Sequence, residues 1–412
     1  MKKKRIVILG AGFGGIYTFK YLHKKFHNDS RVELVLINRE NYFLFTPLLH
    51  EVATGSVSPE HIIHPIRVSL GCCLSEFHEA NILSVKTKTK TVNTSVGDIA
   101  YDYLVVALGA KTNYFGMPEL KENTLALKTL EDAFSIKNQI IETLEKANQS
   151  DDKLEREKLL RYVVIGGGPA GVELATEISD FIYGTFRHYF SKSLIDQVDI
   201  QLLQAIDVIL PGFSPFIQNE AEKVLKKEKV ALKKNCMVSS VQGGVIEIKE
   251  ADPIEAGTVI WTAGVAANTL PFDIDIELSK GRIPVENDFQ VKGLEDVFAL
   301  GDIADFQQDG ASLPPLAQVA VVQAKTLAYN ISAQIEGKPK KGFHFQSKGS
   351  LVSLGKFRAA GVIGPLKLRG PLMWWLWRTV YVTKLLTWKQ RFRVVLDWTI
   401  GLFTRRDISK FQ

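Results

Sequence analysis

The sequence predicts an α/β chain built on two separate strand–turn–helix units of the dinucleotide-binding, Rossmann-like kind, followed by a basic and aromatic C-terminal region. Three observations carry this. Gly10, Gly12 and Gly15 form a GxGxxG turn, and Gly166, Gly168 and Gly171 repeat it 156 residues later. Each turn follows a short apolar run, residues 6–9 or 162–165, and opens a stretch of helical composition, which is the context a dinucleotide fingerprint requires. Residues 341–412 hold 14 Lys and Arg against Asp397 and Asp407, a charge of +12 in a chain whose total is +6, together with Trp374, Trp375, Trp377, Trp388 and Trp398.

Length and composition bound the rest. The 412 residues suit two or three domains, and 46% hydrophobic against 23% charged residues allows a sizeable core. The three cysteines, Cys72, Cys73 and Cys236, form no CxxC. That excludes a disulfide framework, a cysteine metal cluster and a CxxC thiol redox centre, and it fits a reducing compartment. The eight histidines form no ligand motif, so no metal is expected. The basic start leads into an apolar run that ends in a glycine turn instead of a cleavage site, unlike a signal peptide. Basic residues interleaved with tryptophan point to an anionic bilayer surface, not to nucleic acid.

In chain order, residues 1–9 read as the first strand, followed by a turn and a helix to about residue 27, and residues 32–37 as the second strand. Residues 101–108 form an apolar run ending at Gly109, as a buried parallel strand does. Residues 129–158 have helical content, 162–165 opens the second unit, and 199–203 is its second strand. Residues 259–262 mirror 101–108 and stop shortly before Gly264, and a further strand at 297–300 precedes Gly301-Asp302. The first unit is unfinished at residue 110, so the simplest architecture inserts the second unit into the first.

Each glycine has a distinct task. Gly10 permits the tight turn, Gly12 lets the backbone approach a pyrophosphate, and Gly15 lets the helix pack on the strand. Helix amides and the helix dipole then hold the phosphates. At the end of the second strand an acid ordinarily meets a ribose hydroxyl; here stands Asn38, with Arg39 able to cover an adenine and Glu40 able to replace the acid. Near Gly301, a backbone amide could meet a pyrophosphate, and Asp302 could accept a ribityl hydroxyl or cap a helix. The second turn continues Gly168-Pro169-Ala170-Gly171, with Glu173 in the first turns of its helix, where a carboxylate favours the terminus. Gln204 replaces the acid that would bind the 2′-hydroxyl of NAD and repel a 2′-phosphate, and no arginine sits beside it. Two such sites suggest a held flavin and a diffusing nicotinamide nucleotide, with NADH expected and NADPH left open.

Taken together the motifs resemble the type II NADH:quinone oxidoreductases over nearly the whole chain. The resemblance rests on Gly10–Gly15, on residues 41–49 with Glu51-Val52-Ala53-Thr54-Gly55, on Tyr101-Asp102-Tyr103-Leu104-Val105, and on Gly166–Glu173. It continues through Ile209-Leu210-Pro211, Trp261-Thr262-Ala263-Gly264, Ala299-Leu300-Gly301-Asp302, Pro315-Leu316-Ala317-Gln318-Val319-Ala320 and the aromatic, basic tail. It implies non-covalent FAD, a glutathione-reductase-like fold with two dinucleotide domains, and electron transfer from NADH to a membrane quinone without proton pumping. NADH and quinone are then expected on opposite sides of the flavin ring. The implied segments are 1–115 and 286–345 for FAD, 116–285 for NAD(P)H and 346–412 for the membrane. Implied FAD contacts are Gly10, Gly12, Gly14, Gly15, Asn38, Arg39, Thr46, Leu48, Ala107, Gly109, Asp302, Gln318 and Val319. Implied NAD(P)H contacts are Gly166, Gly168, Pro169, Ala170, Gly171, Glu173, Gln204, Ala263 and Gly264. Glu173 corresponds to the acid near the nicotinamide–flavin contact, Gln318 to the glutamine near the quinone head, and Val322 and Gln323 to further lining of the quinone site. Three positions depart from the family pattern: Val322 stands where a glutamine is usual, and Asn38 and Gln204 where acids are common.

Residues 371–388 are strongly apolar but interrupted by Arg378 and Lys384. A spanning helix needs about 20 apolar residues, and each charge near the bilayer centre costs about 3 kcal/mol. The expectation is a helix lying in the interface with its basic side chains snorkelling, in a peripheral protein on the cytoplasmic face. A soluble core or dimer helix is the plainer alternative, and a homodimer is left open. Competing functions are a sulfide:quinone oxidoreductase using cysteines beside the flavin, a reductase of a soluble carrier, and a non-catalytic flavin-bound sensor or scaffold.

Overall fold

The computed structural model describes residues 3–27, 29–70 and 75–410, so Cys72 and Cys73 lie outside the described residues. The chain forms two compact units, the first of Met1–Leu44, Ile63–Lys111 and Val265–Gln346, the second of Phe45–Ile62, Thr112–Gly264 and Ser347–Gln412.

The first unit is organised on a five-stranded parallel sheet in the order Val297–Ala299, Tyr103–Val106, Lys4–Leu9, Val32–Asn38, Ser75–Glu79. Its central strands are continuous apolar runs because both faces are covered: Ile6, Val7, Ile8 and Leu9 are all fully buried. Helix Phe13–Phe26 turns Ile16, Phe19, Leu22 and Phe26 inward, and His23, Lys24 and Lys25 in its last turn suit the negative end of the dipole. Helix Ala317–Ile335 packs along it. The buried run expected over 101–108 is a strand over Tyr103–Val106, and the amides of Asp102 and Ala107 add one bond to the same neighbouring strand at each end, to the carbonyls of Arg5 and Leu9.

The second unit repeats the plan with parallel strands in the order Leu125–Ala126, Thr258–Trp261, Arg161–Ile165, Asp199–Leu203, Val230–Lys233. The helical stretch expected over 129–158 divides in two. Helix Leu130–Gln149 begins at a reciprocal cap between Thr129 and Asp132, and Asp152 caps Lys153–Leu159 by accepting from the amides of Leu154 and Glu155. A three-stranded antiparallel sheet, Ser350–Ser353, Ala359–Ile363 and Leu366–Arg369, is tied to the rest of this unit by Arg358–Glu228 at 2.7 Å and Arg369–Glu220 at 2.9 Å. Helices Gly370–Lys384 and Trp388–Phe403 follow. Among the described residues no helix is long and apolar enough to cross a membrane.

Arg378 corrects an expectation. Its guanidinium does not snorkel but lies 3.6 Å over Trp374 and 4.5 Å from the ring of Trp398, joining the last two helices. Its Nε and Nη1 are buried without hydrogen-bond acceptors, so aromatic faces replace them. Lys384 is the other interruption and closes the last turn of its helix, where a cation is favourable.

Both helices that follow a glycine turn depend on the absence of one methyl group. A Cβ at Gly15 would lie 1.8 Å from the Gly10 carbonyl oxygen, and one at Gly171 would lie 1.9 Å from that of Gly166. Gly15→Ala and Gly171→Ala should each destabilise the protein by about 3 kcal/mol or more. Gly184→Ala, where a Cβ meets nothing within 4 Å, should change the melting temperature little. Thermal unfolding of the three variants checks this, and equal melting temperatures would remove the steric argument.

Candidate functional site

At the first turn, Gly10 adopts φ +93°, and a Cβ there would meet the Ala107 carbonyl oxygen at 2.6 Å. A Cβ at Gly14 would meet the Leu300 side chain at 3.2 Å and Ala107 Cβ at 3.6 Å. The helix starts at Gly12 with no side-chain cap and no acid in its first turn, and the space a Gly12 Cβ would fill is open. An uncapped N-terminus facing open space fits a pyrophosphate, the group that amides and dipole stabilise there. Asn38 faces this loop: its Oδ1 accepts from the Ala11 amide at 2.9 Å and its Nδ2 donates to the Glu40 carbonyl at 2.7 Å. Arg39 and Glu40 pair with each other at 2.5 Å on the surface. Gly109 closes the neighbouring strand's loop at φ +67°.

The second turn is built the same way. Gly166 has φ +113°, with Ala263 backbone atoms 2.7 Å from where its Cβ would be. Gly168 precedes the helix without a side-chain cap, and Pro169 occupies the first turn, where its missing N–H costs nothing. Pro169 and Ala170 are exposed, Ala263 is half-buried and Gly264 has φ +103°. Gln204 occupies the position equivalent to Asn38 and makes the equivalent bond. Its Oε1 accepts from the Gly167 amide at 2.9 Å and its Nε2 donates to the Val208 carbonyl at 2.8 Å.

A third carboxamide serves the first unit. Gln323 is buried, and its Oε1 accepts from the Gly301 amide at 2.8 Å. It is thereby separated from Gln318 and Val322, which are exposed one helical turn apart on Ala317–Ile335, with Val319 facing inward. The Gly301 amide is already engaged, and Asp302 lies within a short 3-10 turn, Gly301–Ile303, whose cap position is Leu300, so Asp302 is not a helix cap. Thr46 and Leu48 belong to the second unit, in the turn Thr46–Leu48, apart in the chain's division from the other expected flavin contacts.

Glu173 lies in the second turn of its helix, within the stretch expected. It is the fifth residue of helix Pro169–Ser179, past the first turn, and buried. Its Oε1 accepts from the Ser353 amide at 3.0 Å, and its Oε2 lies 3.7 Å from His50 Nδ1. Burial pushes its carboxyl up to about 8, while burial lowers His50 to about 4. Burial favours the neutral form of both groups, so their contact is polar in character and the helix-terminus attraction expected of an anion is weakened. Around them lies a buried polar cluster that sequence reasoning missed. Glu177 pairs with Arg406 at 2.9 Å and accepts from Ser56 at 3.0 Å and Thr54 at 3.1 Å. Burial opposes ionisation of Glu177, but Arg406 and these bonds outweigh it and hold the carboxyl below its ordinary value. Glu51 accepts from Trp398 Nε1 at 2.5 Å, and burial raises it to about 7 against the pull of Arg378. The one available signal was the pair Glu173 and Glu177, two carboxylates one turn apart on the same helix.

The signs of these shifts give a stability profile. Glu173 and Glu51 bind protons more tightly folded than unfolded, so their contribution is full below the ordinary value of 4.5 and is lost as pH rises through about 7 and about 8. His50 acts oppositely, its contribution falling away as pH drops from 6.5 through about 4. Glu173→Gln should therefore gain on the wild type as pH rises from about 5 to about 8.5, by on the order of a few kcal/mol. A melting-temperature difference independent of pH across that window would contradict the buried, protonated state.

Comparison with known proteins places the chain. Residues 4–324 match the family model of the pyridine nucleotide-disulphide oxidoreductases, and residues 347–407 match the NDH2 C-terminal domain. The type II NADH:quinone oxidoreductase Ndh of Mycobacterium tuberculosis is 31% identical, over 98% of this chain and 89% of its own length. The structure of NDH2 from Plasmodium falciparum in complex with NADH superposes with a TM-score of 0.92 at 23% identity, covering 99% of this chain and all of that one. The sulfide:quinone oxidoreductase of Aquifex aeolicus shares the fold at a TM-score of 0.70 and 18% identity, over 98% and 96% of the two chains. Sequence identity, family models and the paired glycine-turn architecture agree: the chain belongs to the type II NADH:quinone oxidoreductases, FAD-dependent enzymes that link NADH oxidation to quinone reduction without pumping protons.

Proposed function

We propose that the N-terminus of helix Phe13–Phe26 holds the FAD pyrophosphate and that of helix Pro169–Ser179 receives the nicotinamide nucleotide. The observation that carries this is the shared build of the two turns: a positive-φ glycine, a helix start without a side-chain cap, and open space beside Gly12 and Gly168. FAD, when bound, supplies a two-electron centre between NADH and quinone. Segments 1–115 and 286–345 serve FAD and 346–412 the membrane; of the segment 116–285 expected for NADH, with NADPH as a second donor, residues 265–285 fold into the first unit, and residues 45–62 of the FAD segment fold into the second. Asn38 and Gln323 position the flavin-side turns through the Ala11 and Gly301 amides, and Gln204 does the same at Gly167. Glu173 holds a proton at its carboxyl near neutral pH and presents no charge to the donor's site. Gln318 offers a hydrogen-bonding group to a quinone carbonyl, and Val322 beside it makes that approach apolar.

The same reading extends to the lipid surface. Helix Trp388–Phe403 exposes Trp388, Phe392, Val395, Leu396, Ile400 and Phe403 at helical spacing, and helix Gly370–Lys384 exposes Leu372 and Trp375. Such a stripe, in a region of +12 charge, suits an interfacial helix on an anionic leaflet. The protein is then peripheral, on the cytoplasmic face.

Stopped-flow spectroscopy of the FAD-loaded protein tests the central assignment. NADH should bleach the flavin absorbance and a quinone should restore it, whereas bound FAD that no nicotinamide nucleotide bleaches would reject it. Val322→Gln should change the quinone-driven phase several-fold and leave the NADH-driven phase nearly unaltered; equal changes in both would remove residue 322 from the acceptor side. Phe392→Asp with Phe403→Asp should reduce flotation with anionic vesicles at an unchanged melting temperature, and undiminished flotation would dismiss the stripe.

A further inference from the structure

In a dinucleotide unit of this type, the end of the second strand is where a 2′-hydroxyl is told from a 2′-phosphate. Gln204 stands there without charge, and one of the two Nε2 hydrogens is committed to Val208. It can offer a ribose hydroxyl a lone pair or an N–H, but it brings no charge that would favour or disfavour a 2′-phosphate. The neighbouring parallel strand supplies what the local sequence lacks. Leu203 is in register with Lys233, so Lys234 is level with Gln204. The strand ends are tied on both sides, by the Gln204 amide to the Lys233 carbonyl and the Cys236 amide to the Gln204 carbonyl, each at 2.9 Å.

Lys234 Nζ lies 2.7 Å from Glu222 Oε1 on helix Pro215–Lys227 and 3.9 Å from Asp207 Oδ1, three residues beyond Gln204. We propose that Lys234, Asp207 and Glu222 together set the preference between NADH and its 2′-phosphorylated form, the role the second-strand terminus holds elsewhere. The proposal rests on the reading that the second unit receives the nicotinamide nucleotide. One ammonium against two carboxylates leaves a net charge of −1 beside the ribose end, which disfavours a phosphate dianion. The exposed Asp207 carboxylate is an acceptor suited to a 2′-hydroxyl, and Lys234 is the one of the three suited to a 2′-phosphate. Glu222 holds that ammonium in place and keeps it from acting alone. The wild type therefore prefers NADH while retaining some use of NADPH.

The test uses the FAD-loaded enzyme, with kcat/KM for NADH and NADPH, and calorimetric titration with ADP-ribose and 2′-phospho-ADP-ribose as a readout independent of turnover. Asp207→Asn combined with Glu222→Gln should raise the NADPH-to-NADH ratio, and the relative affinity for the phosphorylated fragment, by about tenfold, the scale of one charge-assisted hydrogen bond. Lys234→Gln should lower both by about tenfold. Lys223→Gln, on the same helix but paired with Glu220, should change neither. Shifts below about twofold in both charge variants, or a response confined to Gln204→Glu, would overturn the proposal. If NADH still bleaches the flavin while the ratios stay fixed, this inference alone fails. If neither NADH nor ADP-ribose binds the wild type, the underlying reading fails and this one with it.

Discussion

Where each central strand ends, the chain must enter a helix with no side chain between them. The contact of 1.8 Å that a methyl at Gly15 would make with the Gly10 carbonyl, and of 1.9 Å at Gly171 with Gly166, states how close the helix start lies to the strand end. This proximity aims the first helical amides out of the strand's end and leaves them without a side-chain cap. The cost of an open helix terminus is tolerated because an anionic ligand can complete it. The turns are also held from behind: Asn38, Gln204 and Gln323 each lend a carboxamide oxygen to one loop amide. A carboxamide does this without adding a negative charge beside a phosphate site.

The second unit carries a different constraint, a group of charges taken out of water. Ion pairs so placed seldom add net stability over apolar packing, but removing one partner strands the other and is costly. The ion pair of Glu177 with Arg406 and the buried hydrogen bond from Trp398 to Glu51 therefore act as fasteners. They join the helix behind the second glycine turn to residues 49–56 and to the last two helices. Those helices turn Trp374, Trp377 and Trp398 inward and a second apolar set outward. One segment thus belongs to the unit's own core and also presents a surface suited to lipid.

Much of the architecture was legible in the chain because it is local. Strand Asp199–Leu203 falls on the expected residues, and Lys4–Leu9, Arg161–Ile165 and Val297–Ala299 fall within a few. Runs of apolar residues ending in glycine are enough to specify a strand buried on both faces. The small antiparallel sheets, such as that of Ser350–Ser353, Ala359–Ile363 and Leu366–Arg369, were not legible, since their short, partly exposed strands carry weak periodicity. Nor was the inward turn of Gln323 one residue after the outward Val322, which the helix's 100° step per residue allows and packing selects.

The sequence by itself determined the two glycine turns, the strands before them, the neutral side chains at positions 38 and 204, and the charge of the C-terminal region, because each depends on residues close in the chain. Tertiary structure alone decided which distant groups meet. It set Lys234 level with Gln204 through strand register, enclosed Arg378 between two tryptophans, and surrounded Glu173 until its proton is retained near neutral pH. Burial and the identity of long-range neighbours fix charge state and contact, and neither is encoded in spacing along the chain.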